Sequence, residues 1–404
     1  MVPEHIHDII VVGGGPAGLT TALSLATLDL DIVLIAPFHG ASRTDRRTTA
    51  LLGGSVDLMV ALGAWPRLGS LAAALTGIRI IDDRGGILRA PEVLFRASEL
   101  GLERFGANVA NADLVAVLLE QVQSDRLITV VDGAARTITH EADCARVTLD
   151  DGRTILSRLL VGADGRASPA RAAAGVATRT WSYPQTAIVA TFAHSRDHGG
   201  ISTEFHRLAG PLTTVPLQMA AGPASSLVWV ETPAEAGRLA MLNDDAFASE
   251  LGERLQGLLG RVGSIAGRQT FPLSGLAATA LTGPRTALVG EAAHVLPPIG
   301  AQGLNLGLRD AAALADCVGD GMAAGEAIGS PAMLARYLAS RGPDIAARTT
   351  AVDLLNRSLL DDFLGAQAAR GLGLHALANV PPLRRAAMRQ GLEPIGARPR
   401  LMRG

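Results

Sequence analysis

The chain has 404 residues, a length that predicts two or three domains rather than one core. Its 48% apolar content excludes a disordered or disulfide-stapled chain, and a net charge of −2 gives no electrostatic case for nucleic acid. Every basic residue is arginine, which excludes any mechanism that needs a lysine amine. Cys144 and Cys317 lack metal-ligand or redox spacing, pointing to a reducing, cytoplasmic setting. The opening MVPEHIHD has no basic region or cleavage site, and no apolar run reaches the roughly 18 residues of a membrane span. His5 and His7 read as solvated residues of a terminal arm, and no metal is expected.

Residues 6–35 predict strand, glycine turn, helix and strand, the pattern of a buried parallel strand with its crossover helix. Between the first strand and the helix, Gly13-x-Gly15-x-x-Gly18 encloses Pro16 and Ala17. In that context the glycines predict a dinucleotide turn: Gly13 bends the chain, Gly15 admits a pyrophosphate, and Gly18 lets helix and strand pack. The free N–H groups of the helix start would face the anion. The acidic residue that ordinarily ends the second strand and holds a ribose is missing, since Ala36 and Pro37 stand there. Arg43, Asp45, Arg46 or Arg47, just beyond, are the nearest groups that could replace it.

Residues 108–124 predict an amphipathic helix with Asn111 as its cap, followed by hairpin strands turning at Asp151-Gly152. The apolar strand RLLVG then delivers Gly162-Ala163-Asp164-Gly165, with Ser168 and Arg171 beyond. A carboxylate fixed between two glycines at a strand end suits a polar ligand. From about residue 182 short strands separated by Gly, Pro and Ser turns predict a mostly antiparallel sheet, interrupted by a helix around 244–260.

The strand TALVG returns to the α/β style and runs through Gly290-Glu291, His294 and Pro297-Pro298 to Gly300, Gly303, Leu304 and Asn305. The last three start the next helix, so their N–H groups are free to face an anion, a dipole effect of roughly 0.3–2 kcal/mol. His294 reads as a loop-bracing residue. Residues 331–391 predict helices broken at Gly342-Pro343 and Pro381-Pro382.

Three motifs, opening at Gly13, Gly162 and Gly290, stand in an order similar to that of the aromatic flavoprotein monooxygenases, the para-hydroxybenzoate hydroxylase-like fold. The third departs from the family's usual Gly-Asp by carrying Gly290-Glu291. The segments HSRDHGGISTEFHRLAGPLTTVPL and SSLVWVE, Asp45-x-Arg47-x-x-Ala50-Leu51, and LPPIGAQGLN resemble the ubiquinone-biosynthesis hydroxylase branch. The likeness runs from about residue 6 to 390. It implies an α/β fold with a Rossmann-like FAD-binding domain, an interleaved, mostly antiparallel β-sheet substrate domain, and C-terminal helices. The expected boundaries are 1–75, 100–181 and 276–330 for the FAD-binding domain, 76–99 and 182–275 for the substrate domain, and 331–404 for the helical end.

By position, the resemblance implies that Gly13, Gly15 and Gly18 cradle the FAD pyrophosphate and that Asp164 lies near the phosphates. Glu291 stands where the family's acid contacts the ribityl or pyrophosphate part, and Arg47 approaches the flavin. The implied chemistry is hydroxylation of an activated aromatic ring by a flavin C4a-hydroperoxide. FAD and O2 take part, with reduced nicotinamide or another redox protein as electron donor. The implied substrate is a hydrophobic polyprenyl phenol. His194, His206 and Tyr183 are candidate bases or hydrogen-bond acceptors for it. Another phenol, a polyketide, or a non-catalytic scaffold role in a quinone-biosynthesis complex are the competing readings. The basic, leucine-rich stretch LHALANVPPLRRAAMRQGL suits either a peripheral place at the inner membrane face or plain packing.

Overall fold

The structure is a computed structural model that describes residues 5–38, 45–84, 90–360 and 364–404. Strand β1 (Ile6–Val12) leads through Gly13–Gly15 into helix α1 (Pro16–Ala26). Pro16 opens that helix, a position where its missing N–H costs nothing. Strand β2 (Ile32–Ala36) is buried throughout. Next come β3 (Thr48–Leu52), α2 (Gly53–Ala61), α3 (Trp65–Leu71) and β4 (Ala73–Leu75). A first excursion supplies β5 (Gly77–Asp82) and β6 (Val93–Arg96). The chain returns through β7 (Gly106–Ala110), α4 (Asn111–Ser124) and β8 (Ile128–Asp132). Then β9 (Ala135–His140), β10 (Ala145–Leu149) and β11 (Thr154–Gly162) precede α5 (Pro169–Ala173).

A second excursion holds β12 (Thr178–His194), β13 (Ile201–Arg207), β14 (Gly210–Leu217) and β15 (Ala224–Glu231). Helices α6 (Pro233–Met241) and α7 (Asp244–Arg254) separate these from β16 (Val262–Ala278). Short strands β17 (Thr282–Gly283), β18 (Thr286–Leu288) and β19 (His294–Val295) lead to α8 (Gln302–Ala323), α9 (Pro331–Leu360), α10 (Leu364–Asn379) and α11 (Pro381–Leu392).

Among the described residues these strands make two eight-stranded sheets and one three-stranded sheet. In the first, β18, β11, β1, β2 and β8 lie side by side and parallel. Ile9 and Val11 of β1 pack toward α1 and α8, while Ile10 and Val12 pack toward β9 and β10. Burial on both faces explains why this strand is apolar without alternation. The second sheet runs β19-β16-β12-β15-β14-β13-β5-β6, antiparallel except where β13 meets β5. Both excursions therefore feed one sheet. One of its faces, carrying Phe192, Leu227 and Trp229, is covered by α6 and α7. The other face looks toward β3 and β7. There Thr48 donates to Ser226 at 2.8 Å and Asn108 to the Pro216 carbonyl at 2.9 Å.

Four local expectations differ from the structure. The helix expected around 244–260 is α7, which ends at Arg254, and a further helix, α6, precedes it; Thr232 and Asn243 each cap a start with a side-chain oxygen. Asn111 does not cap α4; its side chain bridges Asp45 and Thr49 instead. Helix α9 passes through Pro343 unbroken. Arg341 and Asp344, on either side of that proline, are buried in an ion network that holds both turns in place. Helix α8 begins at Gln302 rather than Gly303, so Asn305 is its fourth residue.

Candidate functional site

The first and second motifs touch through their backbones. Gly13 has φ of +124°, and a Cβ there would overlap the Ala163 carbonyl; a Cβ on Gly18 would overlap the carbonyl of Gly13. Both glycines are required by the fold itself. Gly15 differs. Its φ of −77° is open to any residue, and nothing lies within 4 Å of where a Cβ would be. The protein itself does not demand a glycine here, and the bare backbone is open to an approaching group. Gly15 caps the N-terminus of α1, where the N–H groups of the first turn have no partner within the helix.

The third motif sits against the first. A Cβ on Gly290 would stand 3.1 Å from the Cβ of Ala17, and one on Gly307 would stand 3.0 Å from the Gly290 Cα. Three chain segments thus meet with no side chain between them. Beyond, Gly300 and Ala301 take left-handed backbone (φ +63° and +54°) and turn the chain into α8. Gly303 is exposed with no neighbour in reach of a Cβ, the same signature as Gly15. The N–H groups of Gly303 and Leu304 are in the free first turn. Asn305 contributes through its side chain, which donates to the carbonyls of Ala50 (2.7 Å) and Ala301 (2.6 Å) and accepts from Leu52 N–H (2.8 Å). It fastens β3 to the turn.

Asp164 is committed to its own motif. Its carboxylate receives the Ser168 hydroxyl and the Ala170 N–H at 2.9 Å, anchoring the start of α5. Burial raises its pKa above the ordinary value, and these bonds only partly offset that. Arg171 reaches from α5 to the Ala292 carbonyl at 2.8 Å, joining the second motif to the third. Glu291 is exposed and close enough to Arg47 to favour its charge. Arg47 is gripped by Asp45 through two bonds of 2.8 Å and lies over the Phe271 ring at 5.5 Å. Burial pushes Asp45 up, but bonds from Arg47 and Asn111 hold its carboxyl down at about 2. Arg46 lies over Gly267. Both arginines therefore contact β16. The groups beside Ala36 are Phe38, against Gly14, and Asp132, its register partner on β8. Arg43 lies outside the described residues.

The candidate acceptors separate. His194 is on the face covered by α6 and α7, with one ring nitrogen at the Arg196 carbonyl (2.8 Å) and the other at Ser225 (3.0 Å). Tyr183 donates to Asp353 and accepts from Trp181, both at 2.6 Å, and burial first of all pushes its pKa up to about 12. His206 lies on the opposite face, toward β3 and β7. His294 braces the third motif by bonding Asp310 at 2.7 Å.

Sequence reasoning missed the extent of the ion network behind this loop. Asp310 also accepts from Arg341, which with Arg309 and Arg348 binds Asp344; Arg348 reaches Gln302 at 2.7 Å. No local pattern signals it, because its members come from α8 and α9. His5 and His7 both bond Asp31, at 2.9 and 2.8 Å.

Residues 7–350 match the FAD binding domain family. The chain is 36% identical to ubiquinone hydroxylase UbiL of Rhodospirillum rubrum, covering 99% of this chain and 94% of that one. It is 30% identical to 3-demethoxyubiquinol 3-hydroxylase of Escherichia coli, covering 95% and 98%. In three dimensions it is similar to p-nitrophenol 4-monooxygenase PnpA of Pseudomonas putida, with a TM-score of 0.78 and 18% identity over 98% of this chain and 100% of that one. PqsL of P. aeruginosa, in complex with 2-aminobenzoylacetate, gives 0.77 and 22% over 92% and 99%. The bare backbone at Gly15 and Gly303 fits a bound dinucleotide, and the chain belongs to the family of FAD-binding monooxygenases that includes the ubiquinone hydroxylases.

Proposed function

We propose that this chain hydroxylates the aromatic ring of a polyprenylated phenol in ubiquinone biosynthesis, with FAD as cofactor and O2 as co-substrate. The observation that carries the reading is the pair of helix starts, at Gly15 and Gly303, whose glycines the fold itself does not require. The full-length likeness to two ubiquinone-pathway hydroxylases supports the substrate class. When bound, FAD supplies the reductive activation of O2 and the oxygen transfer, so the protein need not provide a nucleophile.

The protein's part is to bind, orient and exclude water. Gly15, with Pro16 and Ala17, would hold the pyrophosphate against the α1 start, in a turn whose close packing Gly13 and Gly18 permit. The free N–H groups of Gly303 and Leu304 would stabilise negative charge on the reduced ring system. Pro297 and Pro298 stiffen the wall that keeps water out. Reduced nicotinamide or another redox protein delivers the electrons. Two measurements test the reading. Purified protein should be yellow with bound FAD; colourless protein that refuses added FAD points to a scaffold. Deletion of the gene should accumulate an under-hydroxylated quinone precursor by mass spectrometry; a normal quinone profile, with no related enzyme to compensate, removes the function.

A peripheral membrane position belongs to the same proposal. Among the described residues no helix is long and apolar enough to cross a membrane. Helices α10 and α11 pack Leu374 and Met388 against Phe95, yet leave Leu372, Val380 and Leu383 exposed beside the exposed Arg385 and Arg389. Arg384 is not part of that surface, because Glu99 and two carbonyls hold it. Exposed leucines interleaved with arginines suit the interface in which a polyprenyl substrate resides. Flotation with anionic liposomes should carry the protein up, and Leu383→Glu should weaken it. No co-flotation ends the idea.

A further inference from the structure

On the face of the second sheet that looks toward β3 and β7, Ile80, Glu204, Thr213, Val228 and Val189 stand in register across five strands. Glu204 breaks an otherwise apolar or hydroxyl-bearing row. Two residues on, and therefore on the same face, His206 bonds Glu204 Oε1 through Nε2 at 2.8 Å. A carboxylate can only accept, so Nε2 carries the proton, and in the neutral ring Nδ1 presents a lone pair. His206 is only 5% exposed, and its Nδ1 has no partner. Asp82, the register partner of His206 on β5, is ion-paired with Arg84 at 3.5 Å. His206 Nδ1 is thus a buried acceptor without a donor, which is rare in a folded protein and leaves a place for a donor from outside it.

Their position fits a substrate rather than a remote ligand. Ser226, the residue that Thr48 contacts, is two strands and two residues from Glu204, about 12 Å by strand geometry, and two strands and four residues from His206, about 17 Å. Thr48 opens β3, and Asn305 joins that strand to the turn whose amides face the cofactor. Glu204 and His206 thus share the sheet face that carries the Thr48–Ser226 contact.

Resting on the hydroxylase reading above, we propose that His206, with its tautomer fixed by Glu204, accepts the hydrogen bond of the substrate's ring hydroxyl. The site thereby selects a ring with a free O–H over the same ring alkylated as an ether. His206 is the specificity-determining contact and Glu204 its positioning residue. An ether oxygen has no proton to give and would leave the buried Nδ1 unsatisfied, a deficit of about tenfold in affinity.

The experiment titrates FAD-loaded protein with 2-prenylphenol and with its methyl ether, reading the perturbation of the flavin spectrum. Wild type should bind the phenol about tenfold more tightly. His206→Leu should abolish that preference with FAD content unchanged. His206→Asn should restore most of it, because its Oδ1 stands where Nδ1 stood. Glu204→Gln, which frees the tautomer, should give an intermediate preference. Equal binding by wild type, or a preference that survives in His206→Leu, overturns the assignment and leaves a trapped water as the donor; the hydroxylase reading then stands. Failure of FAD-loaded wild type to bind either compound overturns both.

Discussion

Replacing Asn305 by Asp exchanges one NH2 for an oxygen at a point where two carbonyls approach within 2.7 Å, those of Ala50 and Ala301. The remaining acceptor, facing Leu52 N–H, is kept. With the side chain 1% exposed, water cannot substitute for the lost donors. Two buried groups left unsatisfied at roughly 1–3 kcal/mol each, with a carboxylate pressed on carbonyl oxygens, amount to about 3–5 kcal/mol. The opposing gain from an acid in the first turn of α8 is at most about 1 kcal/mol on an ordinary helix, so the loss prevails. If 3 kcal/mol is felt in the FAD-bound state, affinity falls by about a hundredfold. Apoprotein should be titrated with FAD by fluorescence quenching, alongside thermal melts, for wild type, Asn305→Ala and Asn305→Asp. Alanine removes the donors without adding an acceptor, so Asp must be the worse of the two. Equal affinities for Asp and wild type, or an Asp variant better than Ala, refute the reasoning.

The glycines should behave oppositely. Gly15→Ala should leave the apoprotein melt unchanged while FAD retention, read as the ratio of flavin to protein absorbance, drops at least severalfold; Gly13→Ala should lose the fold as well. Burial pushes Asp344 up, but Arg309 and Arg341 hold its carboxyl well below the ordinary range. Its contribution is therefore present above pH about 4 and lost as pH falls through the lowered folded value. Asp344→Asn should cost about 3–5 kcal/mol in denaturant titration at pH 7, because three buried arginines lose the carboxylate they share. Its stability should also fall less steeply than wild type below pH 4; parallel pH curves would contradict the linkage. Tyr183→Phe should lower stability by about 1–2 kcal/mol yet leave kcat/KM within threefold, since its hydroxyl is already engaged by Asp353 and Trp181.

Much of the cofactor site was legible because its chemistry resides in backbone. A glycine at a strand-to-helix turn has few meanings, and three such turns in order carried the family. What the glycines could not reveal is that they serve different masters: Gly13, Gly18 and Gly290 admit neighbouring chain, while Gly15 and Gly303 leave room for something else. The place of Asn305 near a helix start is legible in the sequence, whereas its side-chain bonds to β3 are not. The helix begins one residue earlier than the pattern suggested. Pro343 misled because propensity is local, whereas the Arg341–Asp344 network that carries α9 past it is tertiary.

The sequence by itself determined the Rossmann-like start, the sheet module from about residue 182 and the three motifs, because periodicity and glycine spacing are properties of neighbours along the chain. Only tertiary structure separates the two histidines. His194 and His206 both lie on strands of the same sheet, and sequence treats them alike. Strand alternation and register turn His194 toward α6 and α7 with both nitrogens satisfied, and turn His206 to the opposite face with one nitrogen unpartnered. Which face a side chain takes, and what meets it there, is set by pairing between strands distant in sequence.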